Sequence, residues 1–379
     1  MEKQIIIIPD SFKGSLTSVE VADILASSAR QHTGKACIQI PIADGGEGSV
    51  DCILAALGGT KRFVRVKSPE NLDIMAYYGV TLEGTAVIEI AESSGLTKQS
   101  TFRALRATTY GFGQLIKDAL DFGLRQFLLC LGGSATTDCG CGMAAALGVR
   151  FLDVNGERFI PDGGSLSEIS RIDFSGIDSR ISESEFIVMT DVESPLYGEL
   201  GSAYVFAPQK GASPTEVQLL DDGLRHVCRV LEKETGTDYS SLPGGGAAGG
   251  VGCGCCAFLG AQLQSGIEAM LRISNFDDKV KDCCLIVTGE GRLDSQSMMG
   301  KVLSGIKRHA GEVPVVTFCG SCEMTEKEQE DAGIEVVEIS RDVPLKEAIR
   351  NGKQYLKEKA DHFFVNRKME CETGKGIIL

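Results

Sequence analysis

Nine charged side chains stand in short, glycine-bordered loops, most of them straight after an apolar run. Asp10 and Lys13 follow IIIIP, with Ser11 between them. Asp44 and Glu47 lie in ADGGEG, Asp191 follows FIVMT, and Lys210 sits beside Gly211 in FAPQKGA. Glu290, Arg292 and Lys301 occupy VTGEGRLDSQSMMGK. A run of charges would be a solvated face, but isolated charges in glycine loops leave room around the carboxylate or ammonium for a ligand. Five carboxylates and four cations so placed suit phosphoryl transfer. Cations and backbone N–H groups hold phosphates, carboxylates hold Mg²⁺, and one carboxylate takes the proton of an attacking hydroxyl. The plain alternative for Asp44 and Glu47 is a helix N-terminus, where the helix dipole favours acids.

Two loops are rich in glycine and carry little charge. In LGGSATTDCGCGM, Gly132, Gly133 and Ser134 follow an apolar run and precede an expected helix, a setting in which backbone N–H groups can meet phosphate. In PGGGAAGGVGCG, Gly245, Gly246 and Gly249 read as a phosphate cradle or a hinge, because seven glycines in twelve residues disfavour a helix or strand interior. Neither loop is a G-x-x-x-x-G-K-[ST] phosphate loop, and no G-x-G-x-x-G follows the first strand. There is no G-x-S-x-G, and none of the four histidines lies in a motif, which disfavours nucleophilic hydrolysis.

The elements that must position these groups are short apolar strands alternating with helices. Val19, Ala22, Leu25 and Ala26 follow the first run at helical spacing. Leu219, Leu220, Leu224, Val227 and Leu231 form a second helical stripe. Such alternation predicts an α/β protein with largely parallel sheet, whose ligands bind outside the carboxyl ends of the strands. Residues 66–104 differ: they alternate like a hairpin turning at Glu83–Gly84, which predicts a change of architecture near residue 66. The length of 379 residues allows two or three domains.

The net charge of −14 argues against nucleic-acid partners and anionic membrane surfaces. With no leader-like segment and no apolar stretch near ~18 residues, a cytoplasmic protein is expected. The 14 cysteines are then expected as free thiols, since Cys253 to Cys256 and Cys319 to Cys322, the two C-x-x-C spacings, stand far apart in sequence and no histidine lies in a ligand pattern.

Six blocks in this order resemble the bacterial glycerate kinase family of the first type. They are PDSFKGSLTSVEVA, PIADGGEGS, LGGSATTDCGCGMAAALG, TDVESPLYGELGSAYVFAPQKGA, PGGGAAGGVG and LIVTGEGRLDSQSMMGK. The resemblance implies ATP- and Mg²⁺-dependent phosphorylation of D-glycerate, generally to 2-phosphoglycerate, in glyoxylate or sugar-diacid breakdown. It implies two unlike α/β domains with the active site in their cleft. One is a doubly wound, Rossmann- or flavodoxin-like parallel sheet from residues 1–65 and 285–370; the other is an inserted mixed α/β domain, 66–284. Catalysis would then rest on Asp191, Glu290 and Lys13, and substrate binding on Asp10, Ser11, Lys13, Arg292 and Lys301. Gly132, Gly133, Ser134, Lys210, Gly245, Gly246 and Gly249 would meet the nucleotide, and Asp44 with Glu47 the metal. Which carboxylate is base and which is metal ligand stays open, because both roles need only a carboxylate in reach. The oligomeric state, a homodimer included, stays open too. Two other readings use the same residues: a non-catalytic sugar-acid-binding regulator and a metal-dependent lyase.

Overall fold

The computed structural model describes residues 3–43, 45–101, 103–293 and 302–373, the last with side chains to Arg367. Asp44 and Lys301 therefore lie outside the described residues. The first strands are β1 (Gln4–Ile7), β2 (Cys37–Gln39), β3 (Gly59–Lys67), β4 (Asp73–Thr81), β5 (Thr85–Glu89) and β6 (Gln126–Cys130). Then come β7 (Arg150–Leu152), β8 (Arg158–Phe159), β9 (Arg171–Asp173), β10 (Glu185–Met189) and β11 (Gln262–Gln264). The last are β12 (Cys283–Leu293), β13 (Val315–Cys322) and β14 (Glu335–Glu338). The chain divides into two compact units, one of Met1–Ala43, Ala55–Leu57 and Gly266–Leu379, the other of Asp44–Leu54 and Gly58–Ser265.

The first unit holds a five-stranded sheet, β2-β1-β12-β13-β14, parallel throughout. Counted along the chain the order is 2-1-3-4-5, the flavodoxin-like winding, which reverses direction between β1 and β12. The run Ile5 to Ile8 is fully buried, as a strand covered on both faces requires. Helix Ser18–Thr33 starts at a capping box between Thr17 and Glu20 and stops at Gly34, whose φ of 71° is left-handed. It is tied to the helix Leu345–Thr373 by Asp361, which accepts from Ser28 and pairs with His32. Ile5, Ile7, Leu25, Val287, Phe318, Leu356 and Phe364 share the core.

The second unit holds a six-stranded mixed sheet whose strands lie in chain order, β3-β4-β5-β6-β10-β11. The antiparallel part begins at Gly59 and runs through two hairpins, the second turning at Gly84 with φ 86°. From β5 onward the neighbours are parallel. A separate antiparallel sheet, β8-β7-β9, adds Phe151 to a core with Phe112, Phe127, Phe186, Leu220, Val227 and Phe258.

One expectation fails here. The stretch after Pro243 is not only loop: residues Ala247–Leu259 are helical, although Ala248, Gly249 and Gly250 form a left-handed turn at its start. Close packing is the reason. A Cβ on Gly254 would stand 2.2 Å from the Cys139 carbonyl oxygen, and one on Gly252 would stand 2.5 Å from that of Gly244. The glycines permit this approach, which offsets their poor helix propensity.

Candidate active site

In the first unit the chain leaving β1 stays against β12. Ile8 N–H donates to the Val287 carbonyl and Asp10 N–H to that of Gly289, both at 2.8 Å, and Thr288 Oγ1 donates to Ile8 O at 2.7 Å. Then Phe12 and Leu16 close a tight turn through Phe12 N–H to Leu16 O (2.8 Å) and Leu16 N–H to Phe12 O (3.0 Å). Gly14, at φ 78°, lets the turn reverse, and Lys13 projects at its exposed tip.

This turn lies on the end of β12. A Cβ on Gly291 would stand 3.3 Å from Lys13 N, and one on Gly289 would stand 3.1 Å from the Phe12 ring. Glu290 and Arg292, which flank Gly291, therefore share the switch point with Asp10, Ser11 and Lys13. Open α/β sheets bind ligands at this point. The Asp10 carboxylate also accepts from Ser11 N–H at 2.6 Å. Arg292 reaches Glu323 at 2.7 Å, an exposed pair of small energetic weight.

In the second unit the candidates collect at the carboxyl ends of β5, β6 and β10. Gly132 N–H donates to Gly45 O at 2.8 Å. A Cβ on Gly132 would be 2.5 Å from Gly46 Cα, and one on Gly133 would be 3.2 Å from Glu47 Oε1. The loop 45–47 in turn sits on the end of β10, where a Cβ on Gly45 would meet Met189 O at 3.0 Å. Glu47, exposed, is thus beside Gly133 and Ser134, and Asp191 follows two residues after Met189.

Gly245, Gly246 and Gly249 are buried. A Cβ on Gly246 would meet Pro195 O at 2.3 Å, and one on Gly249 would meet Thr136 O at 1.9 Å, so loop-on-loop packing already demands glycine there. Gly245 N–H is taken by Leu242 O at 2.9 Å. Lys210 is 2% exposed, and its Nζ donates to Thr136 O at 2.6 Å and Ser134 Oγ at 3.2 Å. Burial pulls its pKa down to about 7, against the pull of the nearby Asp138 carboxylate.

Two buried carboxylates that the motifs did not single out organise these loops. Glu89, at the end of β5, accepts from Val50 N–H at 2.6 Å and Gly48 N–H at 3.2 Å. It crowns the helix Ser49–Leu57, whose Gly48 N-cap has no side chain to do so. Burial pushes its carboxyl pKa upward against these two hydrogen bonds. Asp138 is wholly buried and accepts from Thr109 N–H and Oγ1, both at 2.8 Å, Gly140 N–H at 3.2 Å and Gly142 N–H at 3.3 Å. Burial raises its pKa despite all four donors.

The N–H groups at the start of Cys141–Ala146 are therefore taken by the protein itself: Gly140 and Gly142 donate to the Asp138 carboxylate, Cys141 to the Asp138 carbonyl and Met143 to Thr109 Oγ1. The signal for Glu89 was a lone acid inside the apolar run AVIEIA. Among the described residues no three His, Cys, Asp or Glu side chains gather as a metal cage, and no helix is long and apolar enough to cross a membrane.

Glycine-bordered acids and cations at the carboxyl ends of parallel strands, with no histidine or cysteine nucleophile among them, define an α/β enzyme of the phosphoryl-transfer class. The glycerate kinase family model matches residues 5–367, and the chain belongs to that family; it is a kinase. The glycerate kinase of Halalkalibacterium halodurans is 42% identical over 369 residues, 95% of this chain and 97% of that protein. The glycerate 2-kinase of Escherichia coli K12 is 41% identical over 324 residues, 84% of this chain and 85% of that protein. A crystal structure designated glycerate kinase 2, from Salmonella typhimurium LT2, matches with a TM-score of 0.86 at 35% identity, over 98% of this chain and 100% of that one.

Proposed function

We propose that this kinase transfers the terminal phosphoryl group of ATP, with Mg²⁺, to the 2-hydroxyl of D-glycerate, giving 2-phosphoglycerate and ADP. Its setting would be cytoplasmic glyoxylate or sugar-diacid breakdown. The observation that carries the reading is the gathering of Asp10, Ser11, Lys13, Glu290 and Arg292 at the switch point of the parallel sheet. Lys13 and Arg292, with Lys301, would hold the substrate carboxylate and the transferring phosphoryl group. Asp10 and Ser11 supply acceptors and a donor for the glycerate hydroxyls. Glu290 or Asp191 would take the proton of the attacking hydroxyl.

Gly132, Gly133 and Ser134 would face the nucleotide phosphates, with Gly245, Gly246 and Gly249 shaping the neighbouring loops. Mg²⁺ bound with a nucleotide needs only one or two protein carboxylates, because phosphate oxygens and water complete its shell. The exposed Glu47 carboxylate beside Gly133 fits that need, and Asp44 would join it. When bound, the metal neutralises charge on the phosphates. Position 2 is supported by the name of the Escherichia coli relative.

The test is ADP release with D-glycerate, ATP and Mg²⁺, followed by ³¹P NMR of the product. ADP that forms only with D-glycerate, with a 2-phosphate signal, is the expected result. A 3-phosphate signal would overturn the regiochemistry, and no ADP from folded protein would overturn the substrate.

A further inference from the structure

Lys210 is buried against the loop that follows β6. It ends the short 3₁₀ turn Pro208–Lys210, which Gly211 closes at φ 89° and Ala212 N–H seals by donating to Ala207 O at 3.1 Å. The side chain is buried, and its Nζ donates to two protein atoms on one segment, Ser134 Oγ and Thr136 O. That segment needs an outside hold. The hydroxyls of Thr136 and Thr137 are buried without a hydrogen-bond partner, so they do not fasten it. It is tied on either side of Thr136: before it by Gly132 N–H to Gly45 O, Leu96 N–H to Gly133 O at 3.0 Å and Ala135 N–H to Ser94 O at 2.9 Å, and after it by the Asp138 carboxylate and by Cys139 N–H to Gly249 O at 3.1 Å. Past Ala135, Lys210 secures the Thr136 carbonyl directly.

We infer that Lys210 is a positioning residue for nucleotide binding, fixing Ser134 and the Thr136 carbonyl so that the loop 132–134 is held in its phosphate-facing form. The inference rests on the proposed role of that loop. It gives an energetic reason for burying a lysine. Removing an ammonium from water is unfavourable, and the Ser134 hydroxyl and the Thr136 carbonyl offset part of that cost by accepting from the amine.

The experiment is a double-mutant cycle of Lys210→Met and Ser134→Ala in the full chain, reading KM for ATP, KM for D-glycerate and kcat, with thermal unfolding of each variant alongside. Losing a charge-assisted hydrogen bond and leaving a buried acceptor unpaired gives an expected rise in KM for ATP of about ten- to a hundredfold in Lys210→Met. KM for D-glycerate should move by less than about twofold, and Ser134→Ala should raise KM for ATP in the same direction. The double variant should resemble Lys210→Met, because both changes act on one loop.

Ser134→Ala raising KM for ATP while Lys210→Met leaves it unchanged would overturn the positioning role alone. So would fully multiplicative effects. If Ser134→Ala leaves ATP untouched, the nucleotide role of the loop falls, and the inference with it. Should Lys210→Met not fold, Lys210→Gln keeps an N–H donor on a shorter stem. Its expected outcome is an intermediate KM for ATP, and a wild-type value would overturn the role.

Discussion

Lys210 also makes a prediction about stability that needs no substrate. Its amine titrates at about 7 in the folded protein against an ordinary 10.5. Between those values the unfolded chain carries a proton that the folded protein does not, so the unfolded state binds more protons. Stability then rises with pH by about 1.4 kcal/mol per unit across that window. The sign is that of a depressed base: the penalty is fully present below about pH 7 and is gone above about 10.5. Over the whole window the term amounts to about 5 kcal/mol, a large share of a typical domain's stability.

Lys210→Met removes this pH dependence and leaves Ser134 Oγ and Thr136 O without their donor, a pH-independent loss of about 2–4 kcal/mol. The wild type should therefore exceed the variant near pH 9.5 and approach it or fall below it near pH 6.5. Urea unfolding of both proteins in reductant, monitored on the transition of the second unit, measures the difference. Taking the difference cancels Tyr78 and the buried thiols, which titrate in both proteins. Parallel stability curves from about pH 7 to about 9.5 would refute the buried-amine account.

Glu89→Ala removes the acceptor of Gly48 and Val50 N–H and should cost about 2–3 kcal/mol in urea unfolding, with Glu89→Gln near half that because one carbonyl oxygen remains. Gly249→Ala, at φ 76° and with its Cβ driven into the Thr136 carbonyl, should cost about 3 kcal/mol or more, whereas Gly84→Ala, at φ 86° in open space, should cost about 1–2. Equal losses at the two glycines would contradict the packing argument. Arg292→Ala should change thermal stability by less than about 0.5 kcal/mol yet cut kcat/KM for D-glycerate by at least about a hundredfold, and Glu323→Ala should leave turnover within about twofold. A fully active Arg292→Ala enzyme would remove that residue from the site.

The strands that carry chemistry were legible because each is a compact apolar run ended by a charge. Ile5 to Ile8 stop at Asp10, and Ile286 and Val287 lead to Glu290. The hairpin at Gly84 was legible from alternation. The glycine-rich segment was legible only as glycine, since the demand for it comes from Thr136, Cys139 and Pro195, which are distant in sequence. Glu89 and Asp138 stayed hidden for the same reason. The partners of Glu89 lie 39 to 41 residues away, and Thr109, which gives Asp138 two of its four donors, lies 29 away. No local spacing encodes a cap supplied by another strand. Lys210 was legible as a cation beside a glycine, but its burial depends on how residues 134–136 fold over it.

The register of β1 has a consequence for how the protein is made. Gln4 pairs with Cys283 and Ile7 with Val287, so β1, an interior strand of the first sheet, waits for a neighbour roughly 280 residues downstream. At ribosomal rates of about 5–20 residues per second, that wait lasts roughly 15–55 s. During it the second sheet, whose six strands follow chain order, can assemble as each strand emerges. Meanwhile the four isoleucines have only β2 and their own helix for cover. An unpaired strand edge of that composition invites association between nascent chains. Slow synthesis should therefore harm the yield of this protein more than that of a chain whose sheets all close locally, and chaperone demand should peak before Cys283 leaves the ribosome.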